Sequence, residues 1–68
     1  MEKYTLVGVD GNAFAIMGYT ANALKREGLR DQVKQMREEA MSSDYYNLIA
    51  VCMKYVDMAN EAAEENDG

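Results

Sequence analysis

A lone cysteine and the absence of histidine constrain this chain more than any other feature of its sequence. Cys52 has no partner for an intrachain disulfide, and a zinc site built from cysteine and histidine is excluded. A domain of 68 residues buries only ~60% of the surface that its unfolded chain exposes. Apolar packing must therefore hold it together, and association with a second chain is the supplement left to it.

The hydrophobic pattern predicts a mainly α fold, in which a short N-terminal β-strand precedes three helices, within one small domain over residues 1–59. The run from Tyr4 to Val9 is rich in β-branched and aromatic residues, which favours the strand. The pair Asp10-Gly11 then predicts a turn with a positive φ at the glycine, and Asn12 is placed to cap the first helix. Residues 60–68 are acidic and lack a hydrophobic face, so we expect a frayed tail.

Three segments carry apolar residues at helical spacing. The first ends at Gly28, which is placed for a left-handed cap, and the second runs from 29 to 40. The third, over 45–59 after a cap at Ser43 or Asp44, is the most apolar and is expected at the centre. The apolar positions are Phe14, Met17, Ala21 and Leu24 in the first helix, Leu29, Val33, Met36 and Ala40 in the second, and Tyr45, Leu48, Ile49, Cys52, Met53, Val56 and Ala59 in the third.

The predicted strand has no obvious partner, and a lone strand cannot satisfy its ladder hydrogen bonds. Three arrangements stay open: pairing with residues 55–58 if the third helix ends early, pairing with the same strand of a second molecule, or an extended path across the helices. We favour intermolecular pairing slightly, because the chain also needs additional burial.

The net charge of −5 argues against a general affinity for nucleic acid or for anionic membranes. Its distribution is uneven. Residues 25–37 carry five basic and two acidic side chains, a net charge of +3, whereas residues 38–68 carry one basic and eight acidic side chains, a net charge of −7. We see no signal-peptide pattern and no apolar run of the ~20 residues that a membrane span requires, so we expect a cytoplasmic protein without membrane contact.

Two groups of side chains are candidates for contact with a partner. A basic flank of the second helix could contact phosphates or an acidic protein, although such charge runs more often form a solvated face. A set of tyrosines exceeds what so small a core can bury, and exposed tyrosines suit interfaces. The basic flank comprises Arg26, Arg30, Lys34 and Arg37, and the tyrosine set comprises Tyr19, Tyr45, Tyr46 and Tyr55.

We expect no catalytic, cofactor-binding or metal-binding residues. Cys52 lies on an apolar helix face without a histidine to act as its base, so a buried core cysteine is the favoured interpretation. The glycine-containing turn before the first helix has the outline of an anion site. It lacks the spacing of a dinucleotide fingerprint and the lysine of a P-loop, so a simple strand-to-helix turn is favoured.

Residues 6–18 read Leu-Val-Gly-Val-Asp-Gly-Asn-Ala-Phe-Ala-Ile-Met-Gly, and further characteristic blocks occupy residues 23–28 and 43–57. In these blocks the chain resembles a family of short uncharacterised bacterial proteins that often lie in phage-like or mobile segments. The part Val-Gly-x-Asp-Gly-Asn-Ala-Phe is the most distinctive. The resemblance covers the chain to about Asp57 and implies neither an established activity nor functional residues.

The sequence therefore predicts a non-enzymatic small binding or regulatory protein that acts through protein–protein contacts. Its protein partner is unknown, and a homodimer is a candidate assembly. One alternative is an acidic mimic of nucleic acid that inhibits a DNA- or RNA-handling enzyme. A second is weak nucleic-acid binding through the basic flank of residues 25–37.

Overall fold

The computed structural model describes residues 2–66. For residue 66 it describes only the backbone. Within this range the chain forms three α-helices and one short 3₁₀ helix. Their bounds are Ala13–Arg26 for α1, Arg30–Gln32 for the 3₁₀ helix, Val33–Ala40 for α2 and Tyr45–Asn66 for α3. α3 packs against both α1 and α2, which also touch each other. The prediction of a mainly helical chain with three helices is confirmed.

The predicted N-terminal strand is wrong, because the part of the chain described before α1, residues 2–12, contains no β-strand. Instead Tyr4 is buried and the chain turns shortly after it. The Val9 N–H donates to the Leu6 carbonyl oxygen at 3.1 Å, with Gly8 at a φ of 85° in the third position of the turn. A positive φ at that position favours glycine. Gly8, rather than Gly11, therefore supplies the left-handed residue of this segment.

A side chain takes the place of the missing strand partner. The Tyr4 N–H donates to Asn60 Oδ1 at 2.8 Å, and Asn60 Nδ2 donates to the Tyr4 carbonyl oxygen at 2.9 Å. An asparagine amide holds one acceptor and two donors, so it offers the backbone what an adjacent strand would offer. The N–H of Thr5 donates to the Tyr19 hydroxyl at 3.0 Å. The segment thus lies against α1 and α3, as in the third arrangement that the sequence left open, but it turns at residues 6–9 instead of remaining extended.

Side-chain caps start α1 and α3 as the sequence predicts. Asn12 accepts a hydrogen bond from the Phe14 N–H at 2.8 Å, and Asp44 accepts one from the Asn47 N–H at 2.9 Å. Each cap pairs a backbone donor that has no partner within its own helix. Of the two residues expected to cap the third helix, Asp44 is the one that does so.

The C-terminus of α1 is closed by Gly28, whose φ of 77° confirms the predicted left-handed cap. The Leu29 N–H donates to the Leu24 carbonyl oxygen at 2.8 Å, and the Gly28 N–H donates to the Lys25 carbonyl oxygen at 3.2 Å. These two bonds form a Schellman motif. The chain is thereby redirected from α1 into the 3₁₀ helix.

Most of the predicted core positions are buried, including Cys52, but Phe14, Tyr45 and Met53 lie at the surface. Phe14 is 75% exposed, because the buried face of α1 is rotated toward Ile16 and Thr20. An apolar pattern at helical spacing marks the direction of a buried face. It does not set the edges of that face, which depend on the neighbouring helices.

α3 is longer than the helix predicted to end near Ala59, since it continues to Asn66. The additional turns keep Asn60 and Ala63 buried on the face that already contains Ala59. The residues that extend the packed face of α3 here are small or polar. The apolar pattern of the sequence therefore gives little indication that the helix continues beyond Ala59. Of the tail predicted over 60–68, residues 67 and 68 lie outside the described residues.

Two glycine substitutions are expected to change the free energy of unfolding in opposite directions. Gly28→Ala should destabilise the domain by about 1 kcal/mol, because its positive φ strains a residue that carries a Cβ. Gly18→Ala is the matched control, since Gly18 lies inside α1 and an added Cβ meets no atom within 4 Å. It should stabilise by about 0.5–1 kcal/mol. Urea unfolding followed by circular dichroism measures both, and changes of the same sign would contradict these backbone conformations.

Candidate interaction surface

A groove lies between the N-terminal segment and α3, with part of α1 beneath it. Its volume of about 410 Å³ falls within the range of roughly 300–1,000 Å³ that is usual for ligand pockets. We refer to it as the groove. It is lined by Glu2, Tyr4, Thr5, Leu6, Val7, Ile16, Ile49, Met53, Val56 and Asp57.

The groove has an apolar floor and apolar walls. Tyr4, Ile16 and Val56 are buried at its base. Val7 in the N-terminal segment is 86% exposed, and Met53 on α3 is 55% exposed. Apolar surface that stays in contact with water at a concave site is a common mark of an interaction surface. The sequence pattern predicts Val7 in a strand and Met53 in the core, so it identifies neither as part of an exposed surface.

The N-terminal wall of the groove is anchored to α1 and its C-terminal cap. The Tyr4 hydroxyl donates to the Glu27 carboxylate, and the Lys3 ammonium bonds the same carboxylate at 3.0 Å. The rings of Tyr4 and Tyr19 meet edge to face with their centroids 6.5 Å apart. Burial, and then the Glu27 carboxylate, raise the pKa of Tyr4. With the Asn60 amide, these contacts give the wall a fixed position.

A second trio of lysine, tyrosine and glutamate joins α3 to α2. The Tyr55 hydroxyl donates to the Glu39 carboxylate, which the Lys54 ammonium bonds at 2.7 Å. The ammonium also lies 5.0 Å from the centroid of the Tyr55 ring, within the range of a cation–π contact. Burial, and then Glu39, raise the pKa of Tyr55 to about 12. The hydrogen bonds from Lys54 and Tyr55 lower the pKa of Glu39.

The structure distributes the tyrosine set over three places. Tyr45 and Tyr46 adjoin at the start of α3 with their rings edge to face, and Tyr46 is 82% exposed. The hydroxyl of Tyr45 donates to the Gly11 carbonyl oxygen. Tyr19 is half-buried against the N-terminal segment, and Tyr55 is 1% exposed. Tyr45 and Tyr46 are thus brought together, whereas Tyr19 and Tyr55 serve contacts inside the fold.

The basic flank lies at the surface. Arg30, Lys34 and Arg37 follow one another at spacings of four and three along the exposed side of the 3₁₀ helix and α2, and Arg26 ends α1. All four side chains are exposed. The flank therefore faces solvent, and none of its four residues lines the groove.

A smaller apolar depression lies where the loop between α2 and α3 meets α1. Its volume is about 270 Å³, and the exposed side chains of Phe14, Met41 and Tyr45 surround it. This patch contains no residue that lines the groove. It therefore supplies comparison positions of similar character for tests of the groove.

Reactive groups contribute little to this surface. Cys52 is fully buried, and burial raises the pKa of its thiol although a hydrogen bond with Thr20 acts in the opposite direction. Within residues 2–66, no three potential metal-binding side chains cluster together. None of the helices described here has both the length and the apolar character that crossing a membrane requires.

Comparisons with protein-family models, with curated proteins and with solved structures found no match. The resemblance to short bacterial proteins of mobile segments stays a prediction for this reason. The function must be argued from the groove, the charges around it and the other exposed surfaces.

The Tyr55–Glu39 pair makes the stability of the domain depend on pH at both extremes. Because the pKa of Tyr55 is about 12 in the folded chain against an ordinary value of 10.0, its contribution is fully present below pH 10 and is lost as the pH rises to about 12. The pKa of Glu39 is lowered instead, so its contribution is present above 4.5 and is lost on acidification.

Urea unfolding at a series of pH values tests the alkaline part of this dependence. Tyr55→Phe should lose less stability between pH 10 and 12 than the unsubstituted chain, because the residue with the raised pKa is gone. Tyr46→Phe is the matched control at an exposed tyrosine and should leave the profile unchanged. An unaltered alkaline decline in Tyr55→Phe would contradict the role assigned to the pair.

Proposed function

We propose that this chain is a small non-enzymatic protein that acts by binding another protein through the groove. The observation that carries the proposal is the pair of exposed apolar side chains, Val7 and Met53, on either side of a buried apolar floor. Covering them with a partner removes apolar surface from water, which is the main favourable contribution to most protein–protein association. This accords with the binding function that the sequence predicts.

The chemistry of the groove supports binding rather than catalysis. The sequence contains no histidine, and the thiol of Cys52 is enclosed in the core. General acid–base catalysis uses histidine most often. The carboxylates that line the groove, Glu2 and Asp57, are exposed at its rim.

The anchored N-terminal wall also favours binding. A surface that is already ordered loses little conformational entropy when a partner docks on it, which increases the affinity gained from a given contact area. In this chain the Asn60 amide and the Glu27 carboxylate hold Tyr4 before any partner is present.

Two alternatives rest on other surfaces. Nucleic-acid binding is favoured by the exposure of the basic flank, and mimicry of nucleic acid by the acidic residues of α3. The first is opposed by the net charge of −5. A cytoplasmic location, a mobile-element origin and a homodimeric assembly stay predictions of the sequence.

Photo-crosslinking in the cells that express the protein tests the groove directly. A photoreactive amino acid in place of Met53 should attach a protein, since the side chain stands on the groove wall. The same amino acid in place of Met41, an exposed methionine outside the groove, should not attach that protein. Val7→Ser should reduce the yield of partner protein crosslinked through position 53.

Three results would contradict the proposal. They are attachment of the protein through position 41 alone, no attached protein at position 53, and attachment of nucleic acid when the photoreactive group replaces Lys34 in the basic flank.

A further inference from the structure

We infer that the groove binds a cationic amphipathic segment of its partner, with apolar side chains on one face and lysine or arginine beside them. The inference rests on the proposed function of the groove and adds the chemistry of the occupant. Three observations carry it: the charges at the rim of the groove, the pairing of the lysine in the adjoining depression, and the spacing of apolar residues on α3.

The rim of the groove is acidic. Glu2 and Asp57 are the charged side chains among the described residues that line it, and both are exposed. Asp57 also borders an adjoining shallow depression on α3, where Glu61 is exposed. Three carboxylates therefore stand beside an apolar surface, which suits a partner that carries apolar and basic side chains together.

The lysine that lines the adjoining depression is already engaged. Lys54 borders the adjoining depression, but its ammonium bonds the Glu39 carboxylate at 2.7 Å and contacts the Tyr55 ring. Its charge is thus largely balanced by Glu39 and does not offset the carboxylates at the rim. α2, which carries Lys34 and Arg37 of the basic flank, contributes no residue to the groove within the described part of the chain.

The part of α3 that lines the groove, from its wall to its base, carries apolar residues at regular intervals. Ile49, Met53 and Val56 follow at spacings of four and three, so they lie on one side of the helix. Amphipathic helices dock in such grooves through anchors at matching helical intervals. The flexible side chain of Met53 can adapt to anchors of different shape.

The same charges disfavour other occupants. In a twofold symmetric contact between two copies, the same surface patch meets itself, so the acidic rim of one copy would face that of the other. Like charges placed together oppose association. Nucleic acid is polyanionic and would meet the same repulsion at this rim.

Synthetic peptides test the inference with the full chain. The probe is a fluorescently labelled peptide of about four helical turns, built from leucine and lysine so that the leucines form one face. One comparison peptide carries glutamate in place of every lysine, and another has the same composition in an order without an apolar face. Fluorescence anisotropy should show that the cationic amphipathic peptide binds at least tenfold more tightly than either, with an affinity that falls as salt is added.

Substitutions in the protein locate the binding. Met53→Gln should weaken it about fivefold or more, whereas Met41→Gln, at an exposed methionine outside the groove, should leave it unchanged. The double variant Asp57→Asn with Glu61→Gln should weaken it roughly three- to tenfold and reduce its salt dependence. These side chains are exposed, so the variants should retain the urea midpoint of the parent chain.

The possible outcomes separate this inference from the proposed function. If the glutamate peptide bound as tightly as the lysine peptide, or if the double variant bound normally, the occupant would not be cationic. The inference would then be overturned, while crosslinking through position 53 would still support protein binding. If sedimentation showed a dimer that Met53→Gln dissociated, the occupant would be a second copy, which also overturns the inference. If Met41→Gln and Met53→Gln weakened peptide binding equally, the peptide would not be bound in the groove.

Discussion

The paired hydrogen bonds between the Asn60 side chain and the Tyr4 backbone allow this chain to fix its N-terminal segment without a sheet. Both groups are buried, and a buried backbone donor or acceptor without a partner costs about 1–3 kcal/mol. A single asparagine on α3 removes that cost at the point where the N-terminal segment crosses the helices. The placement of Val7, and with it one wall of the groove, depends on this contact.

Two lysine–tyrosine–glutamate trios also hold the elements of this fold together. Glu27 joins the N-terminal segment to the end of α1, and Glu39 joins α2 to α3. In each trio a buried ring carries a hydroxyl that needs a partner, and a carboxylate supplies it. Tyr4 and Tyr55 therefore stabilise the fold, whereas Val7 and Met53 remain at the surface, where a partner can cover them.

Local chemistry made parts of this fold predictable from the sequence, and long-range contacts made others unpredictable. Asn12 and Gly28 act within their own helix ends, so residue type and spacing were sufficient to find them. The β-branched run predicted a strand wrongly, because residues 6–9 form a turn and the partner of the Tyr4 backbone, Asn60, lies 56 residues away. One signal was available: Asn60 falls four residues after Val56 on the buried face of α3. The groove combines three separate segments, and no local pattern marks it.

Hydrogen exchange at the Tyr4 amide tests the central claim most directly, because this N–H is the donor to Asn60 Oδ1. In the unsubstituted chain we predict that it exchanges slowly, with a protection similar to that of the core amides of α3. In Asn60→Ala it should lose this protection while the helices keep theirs. A Tyr4 amide that exchanges in the unsubstituted chain as fast as in an unfolded peptide would contradict the account.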